Sequence, residues 1–333
     1  MSSAHNTVPA VTRPKWSVAT GNKQVALIAL MVLMEIGFAS VQPRVVSSAN
    51  LLNVLHQASY LVVLTVAQTL VILTRGFDLS LGTTVSAVSV ASALVLTGFG
   101  DSPTGWTLLL GIVVGLGLGL AVGVFNGLLV AYIGVNPFIA TLASLNICLG
   151  IATTISNGGP VFGVPDSFSV LLNDGKIFGT RVPLLIAICL PVAAWFMLDR
   201  TVFGRALLLI GANPRAAFVA GLPVRRYLAG AYALCSLLAA LGGLMLTART
   251  GSGEPNLGGS LMLQSIAAAV IGGTSLRGGS GGIGAAVLGA LFVTMLSNGM
   301  DLAQVSGYMQ MIALGVVVVF ATALDFQQAA RRA

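Results

Sequence analysis

Apolar positions along this chain neither alternate at the strand period of two nor keep to one helical face. They run on without charge and break only at Gly, Pro or groups of charged residues. The hydrocarbon core of a bilayer takes about 20 apolar residues of α-helix. Runs of roughly this kind lie at 24–41, 58–74, 81–98, 105–133, 137–156, 182–198, 227–247, 262–276, 282–300 and 307–324. The pattern predicts an all-α integral membrane protein of about ten transmembrane helices. The eighth run is short, and 47–57 reads as an eleventh, partial element. Residues 1–23 form a polar N-terminal tail, 24–324 a single membrane domain and 325–333 a C-terminal tail. The first apolar run is longer than the core of a signal peptide, so it is read as an uncleaved helix.

Composition removes the alternatives. The chain is 56% hydrophobic and 8% charged, where soluble domains carry about 25% charged residues. Its 41 glycines follow no collagen period and suit close helix packing in lipid. A net charge of +7 does not indicate nucleic acid, because the basic residues sit between apolar runs and not on one soluble face. Cys148, Cys189 and Cys235 each lie inside an apolar run, far apart and without histidine nearby, and are read as packing residues. No metal site is expected.

An even number of spans places both termini on one side, and basic residues mark the cytoplasmic side. With the N-terminus inside, the inner segments hold Arg13, Lys15, Lys23, Arg75, Arg200, Arg205, Arg215, Arg225, Arg226, Arg277, Arg331 and Arg332. The outer segments hold Arg44, Lys176, Arg181 and Arg249, a bias of 12 to 4 among the 16 Lys and Arg. The outer loop 157–181 is rich in Gly and Pro and reads as turns shaping an entrance. The inner loop 199–226 contains a short helix over 214–220, with Asn213 as N-cap, Pro214 at the first position, and Gly221 and Pro223 ending it. A two-turn helix outside the membrane is a docking element. Gly111, Gly115, Gly119, Gly123 and Gly127 recur at steps of four, so their stripe winds around the fourth span. That predicts a central helix packed on several sides, with a pore-lining stripe as the alternative.

Several motifs dissolve in context. Gly278–Gly284, GGSGGIG, fits both a dinucleotide-binding and a nucleophile-elbow pattern, yet both need a strand before and a helix after. Between two membrane helices it is a glycine turn, and the only histidines, His5 and His56, offer no triad base. No G-x-x-x-x-G-K-[ST] is present, so the chain has no ATPase site of its own. Glu35 is the one charge inside a span, where an ion relay needs more. The amides Gln68, Asn126, Asn146, Gln264 and Asn298 lie within or at the ends of spans and are the candidate substrate-pathway residues. Asn126-Gly127 and Asn298-Gly299 each precede a turn and another span, suggesting an internal duplication.

From Thr69 to Gly82 the chain reads TLVILTRGFDLSLG, which resembles the ILTGGIDLSVG signature of the permeases of ribose-type ABC importers. Asn136–Leu142, Gly211–Ala217 through Gly221, and Ile266–Leu276 with its glycine turn agree with the same family in the same order, over about residues 50–325. The resemblance implies the ten-helix importer permease fold and uptake of a monosaccharide, ribose-like or related, by alternating access across a bacterial inner membrane. It implies as partners a second permease copy, identical or paralogous, a periplasmic or lipid-anchored sugar-binding protein, and a cytoplasmic ATPase that uses ATP and Mg. No cofactor is implied for this chain. Helix 214–220 becomes the ATPase-coupling helix, through Asn213, Pro214, Arg215, Ala216, Ala217 and Gly221, with Arg215 facing the partner. Gly76, Asp78, Ser80 and Gly82 form the signature turn. Arg75 stands where the family usually has a second glycine and is placed to pair with Asp78; Glu35 stands where the family is apolar. An ion-coupled carrier of a small polar solute is the alternative.

Overall fold

The computed structural model describes residues 16–99 and 104–330; Arg13, Lys15, Arg331, Arg332 and His5 lie outside them. The helices in chain order begin with α1 Trp16–Val41, α2 Ser48–Ile72, α3 Leu81–Thr97, α4 Gly105–Leu128 and α5 Pro137–Ile155. After the small α6 Asp166–Ser169 come α7 Val182–Arg200, α8 Val202–Ala212, α9 Pro214–Val219 and α10 Val224–Thr250. The chain closes with α11 Leu261–Ile271, α12 Ile283–Leu302 and α13 Gly307–Ala330. Seven of them are long and apolar enough to cross a membrane among the described residues; α3, α11 and α13 are the shorter apolar helices among the expected spans.

Several boundaries differ from expectation. Helix α1 begins eight residues before the apolar run, since Trp16 to Lys23 contains no Pro to stop it. The partial element at 47–57 is the first half of α2, which runs unbroken from its Ser47 cap, whose hydroxyl accepts from the Asn50 amide at 3.3 Å. The last helix continues past 324 to Ala330. Helix α8 lies inside the expected inner loop; at 11 residues it is too short to register as a span.

The bundle is built around α2, α3 and α10. Within their apolar windows, 83% of α2 is buried inside the protein, against 11% of α1. One core joins Tyr60, Leu64, Ala67 and Val71 of α2 to Leu81 and Val85 of α3 and to Tyr232, Cys235 and Ala239 of α10. Another packs α1 through Leu27 and Met31 against Ala290 and Val293 of α12. Helices α1, α5 and α7 turn most of their apolar surface outward, the arrangement expected where the outer solvent is lipid.

Helix α4 is peripheral and not central as its glycine stripe suggested: Val113, Leu120, Val124 and Phe125 are exposed. The winding stripe is followed by its neighbours. Going down α4, Gly111 meets Leu96 of α3, Gly115 meets Leu244, Gly119 meets Ala240, Gly123 meets Tyr232 and Ala233, and Gly127 meets Ala229. An added Cβ at Gly123 would lie 2.6 Å from the Tyr232 carbonyl oxygen. Helix α10 therefore crosses obliquely in steps of about four and tracks the stripe from Gly115 to Gly127, with α3 taking its first turn at Gly111 and sharing Gly115 through Val88.

Two small sheets dress the ends of the helices. Strand β1 (Val161–Phe162) pairs antiparallel with β4 (Ser252–Gly253), tying the 157–165 turns to the end of α10. Strands β2 (Lys176–Ile177) and β3 (Thr180–Arg181) form a hairpin ahead of α7. The glycine-rich segment after α11 is a turn between two helices, with no strand before it.

Candidate functional site

The signature turn between α2 and α3 is the polar centre of the bundle. Asp78 is fully buried, and its Oδ1 accepts from the Ser80 amide at 2.9 Å and the Ser80 hydroxyl at 2.5 Å. Its Oδ2 accepts from the Ser236 hydroxyl of α10 at 3.4 Å. Ser80 in turn accepts from the Asn126 amide of α4 at 2.9 Å, and Asn126 Oδ1 accepts from Ser144 of α5 at 2.5 Å. Oriented to satisfy both its atoms, the Gln68 side chain donates to the Asp78 carbonyl at 3.2 Å and accepts from the Asp78 amide at 3.3 Å. Asp78, through its carboxylate and its backbone, thus joins five elements through groups that are all buried. A network so satisfied fixes a unique helix arrangement, because each member left alone would be a buried orphan.

A cleft of about 210 Å³ opens beside this network. Its walls include Gly82, Thr83 and Ser86 of α3, Leu145 and Leu149 of α5, and Asn256 of the segment before α11. At Gly82 a side chain would collide with the Gly258 carbonyl, so the two backbones touch, and the Gly258 amide donates to the Ser86 hydroxyl at 3.0 Å.

The five candidate amides divide. Gln68 and Asn126 belong to the buried network. Asn298 accepts from Asn50 at 2.8 Å and joins α12 to α2. Asn146 is exposed on α5 and donates to the Leu142 carbonyl of its own helix at 2.9 Å. Gln264 is half-buried on α11 and donates to the Ser260 hydroxyl at 3.4 Å. The sequence does not mark Ser144, Ser236, Thr83 and Ser86, since small hydroxyls are too common in membrane helices to stand out there, nor Asn256, which lies between two predicted spans.

Helix α9 stands at the surface. Asn213 Oδ1 accepts from the Arg215 and Ala216 amides at 3.1 and 3.0 Å, with Pro214 opening the helix. At the other end the Leu222 amide bonds the Ala217 carbonyl at 3.1 Å and the Gly221 amide bonds the Phe218 carbonyl at 3.0 Å. With Gly221 at φ +79° this is the double-bonded left-handed termination that satisfies the last carbonyls. Ala217 is buried against the bundle, Arg215 is exposed, and Phe218 and Val219 are 74% and 85% exposed.

Arg75 does not pair with Asp78. The carboxylate is enclosed by serines, while Arg75, at φ +66°, turns away towards the end of α8. Its Nε donates to the Gly211 carbonyl at 2.5 Å and its Nη2 to the Ala212 carbonyl at 2.5 Å. Glu35 lies apart, on α1, in a groove formed with residues such as Met31, Leu288 and Met295, and one of its carboxylate oxygens is buried without a partner. Cys148, Cys189 and Cys235 are free thiols.

Residues 50–322 match the family described as branched-chain amino acid transport system / permease component. The chain is similar to the ribose import permease protein of Escherichia coli (strain K12), 37% identical over 91% of this chain and 93% of the relative. It is also similar to the ribose import permease protein of Bacillus subtilis (strain 168), 35% identical over 91% and 92%. The galactose/methyl galactoside import permease protein of Escherichia coli (strain K12) is 32% identical over 92% and 94%. No solved structure matches the chain. A multi-pass helical bundle matched over most of its length, and along nearly the whole of these import permeases, belongs to the branched-chain amino acid transport system / permease component family.

Proposed function

We propose that this chain is the membrane permease subunit of an ATP-binding-cassette importer that moves a monosaccharide, ribose-like or related, across the bacterial inner membrane by alternating access. The observation that carries the reading is the end-to-end similarity to import permeases named for ribose and galactosides. A capped helix that holds Phe218 and Val219 out of the bundle supports it, because such a helix is a rigid apolar plug for a groove on a partner.

In this reading α9 is the coupling helix and the partner is a cytoplasmic ATPase that binds and hydrolyses ATP with Mg; this chain performs no covalent step. The termini and the basic loop around α9 are cytoplasmic, following the bias of Lys and Arg. A second permease copy completes the channel, and a periplasmic or lipid-anchored sugar-binding protein delivers the solute from outside. The pathway passes the cleft between α3, α5 and the segment before α11, where Thr83, Ser86 and Asn256 supply hydrogen-bonding groups. Asn146 and Gln264 stand close to that wall in sequence, on α5 and α11. Asp78 and Asn126 hold the helices that form it.

The test is to express the chain with the proteins encoded beside its gene, identify by mass spectrometry what purifies with it, and reconstitute the complex in liposomes with labelled ribose, allose and galactose. Recovery of an ATPase, with uptake that needs internal ATP and survives collapse of proton and sodium gradients, is the expected result. A chain that purifies alone, or uptake that stops with the gradients, would overturn the reading in favour of an ion-coupled carrier.

A further inference from the structure

We propose that Arg75 is the positioning residue that couples the docking helix to the buried network at Asp78, so that a displacement of α9 is carried to the signature turn. The inference rests on the permease reading above and adds to it the route by which force enters the bundle.

Three chain segments meet at one point on the side of α9. They are the end of α2 at Leu73–Arg75, the junction of α8 and α9 at Gly211–Asn213, and the glycine turn at Gly278–Gly279. Gly211 and Gly279 have no room for a side chain: a Cβ on Gly211 would strike the Leu73 carbonyl, and one on Gly279 would strike the Ala212 backbone. The Gly279 amide donates to the Leu73 carbonyl at 2.9 Å, and a Cβ on Gly278 would lie 2.9 Å from the Arg75 amide nitrogen. The backbones therefore interlock, and Arg75 spans them with its side chain.

Its two acceptors are informative. Gly211 and Ala212 carry the last carbonyls of α8, which have no partner inside the helix and bear the negative end of its dipole. A guanidinium with two parallel donors is suited to grip both at once. The residue that follows Ala212 is Asn213, the cap that starts α9. On the other side, three residues after Arg75, lies Asp78, whose backbone is held by Gln68 and whose carboxylate joins α3, α4, α5 and α10 through Ser80, Asn126, Ser144 and Ser236. The route from the coupling helix to that network thus runs through one cap, one clamp and a short bent segment. Arg75 keeps a left-handed backbone that a glycine would adopt freely, so relaxed geometry does not explain an arginine here, and the clamp does.

The experiment uses the complete importer in liposomes, with ribose as probe, and compares wild type with Arg75→Gly and Arg75→Lys. Arg75→Gly relaxes the backbone while removing the clamp. It is expected to assemble with the ATPase and hydrolyse ATP, while ribose imported per ATP falls at least about fivefold, the lower end of ordinary coupling between sites. Arg75→Lys, which can reach one carbonyl at a time, is expected to fall between. A wild-type import ratio in Arg75→Gly overturns the proposal, and so does loss of the assembled complex in Arg75→Gly, which would make Arg75 a folding residue. Absence of ATP-driven uptake of ribose, allose and galactose alike in the wild type overturns the permease reading itself, a result distinct from any pattern among the variants.

Discussion

The Asn126 side-chain amide donates to the Ser80 hydroxyl at 2.9 Å, and that hydroxyl in turn donates to Asp78. Asn126 is thereby a structural bridge from α4 to the signature turn, whereas Asn146, of the same residue type and also within a span, donates its hydrogen bond to its own helix.

Stability should separate the two. Asn126→Leu leaves the Ser144 hydroxyl without its acceptor in a dry interior, at a cost of about 1–3 kcal/mol, while Ser80 keeps its bond to Asp78. Asn146→Leu removes one bond on an exposed face. Thermal unfolding in detergent, followed by intrinsic fluorescence, is expected to show a clear drop in Tm for Asn126→Leu and little change for Asn146→Leu. Equal drops would mean that the network does not hold the bundle together.

The termination of α9 gives a second prediction. Gly221 sits at φ +79° with open space around its Cα, so a side chain there meets only backbone strain, about 1–2 kcal/mol for most L-residues and less for Asn. Gly221→Val should loosen the last turn, which presents Phe218 and Val219, and reduce the ATPase recovered on purification; Gly221→Asn should retain it. Phe218→Asp, an exposed change without fold cost, should abolish recovery while leaving Tm unchanged. If Phe218→Asp retains the ATPase, α9 is not the docking element.

Much of this architecture was legible in the sequence because its causes are local. Apolar run length placed the membrane helices, and Asn213, Pro214, Gly221 and Pro223 placed α9, since capping is decided by residues within one turn. What could not be read depended on partners distant in the chain. The glycine stripe of α4 announced close packing but not how many neighbours share it, because that depends on the crossing angle of α10. Arg75 and Asp78 looked like an ion pair at spacing three; backbone at φ +66° sends the arginine the other way, and the only signal of that turn is the glycine the family usually has at this position, which an arginine hides. Ser144 and Ser236 are ordinary small residues until α5 and α10 bring them to Asn126 and Asp78.

The glycine stripe offers an internal control for packing. At Gly123 an added Cβ would lie 2.6 Å from the Tyr232 carbonyl and 2.7 Å from the Ala233 Cα, both backbone atoms of α10, whereas at Gly117 it meets nothing within 4 Å. Gly123→Ala should push α4 and α10 apart and lower Tm. Gly117→Ala, on the outward face, should match or exceed wild type, since Ala is favoured over Gly by about 1 kcal/mol in a helix. A Gly123→Ala protein as stable as wild type would show that α10 does not approach α4 this closely.

Glu35 tests the ion-coupled alternative from the opposite direction. Its carboxylate lies in an apolar groove of α1 and has one buried oxygen without a partner, and α1 packs against α12, in a core that holds none of the side chains bonded to Asp78. A coupling carboxylate must exchange its ion with the solute's pathway, so neutralising it stops transport; a carboxylate outside the pathway contributes only its own desolvation. Glu35→Gln keeps the shape and removes the charge, and is expected to leave ATP-driven uptake within about twofold of wild type, a difference smaller than 1 kcal/mol, and Tm equal or higher. Uptake lost in Glu35→Gln, with the ATPase still bound, would place an ion in the transport cycle and require α1 to line the path.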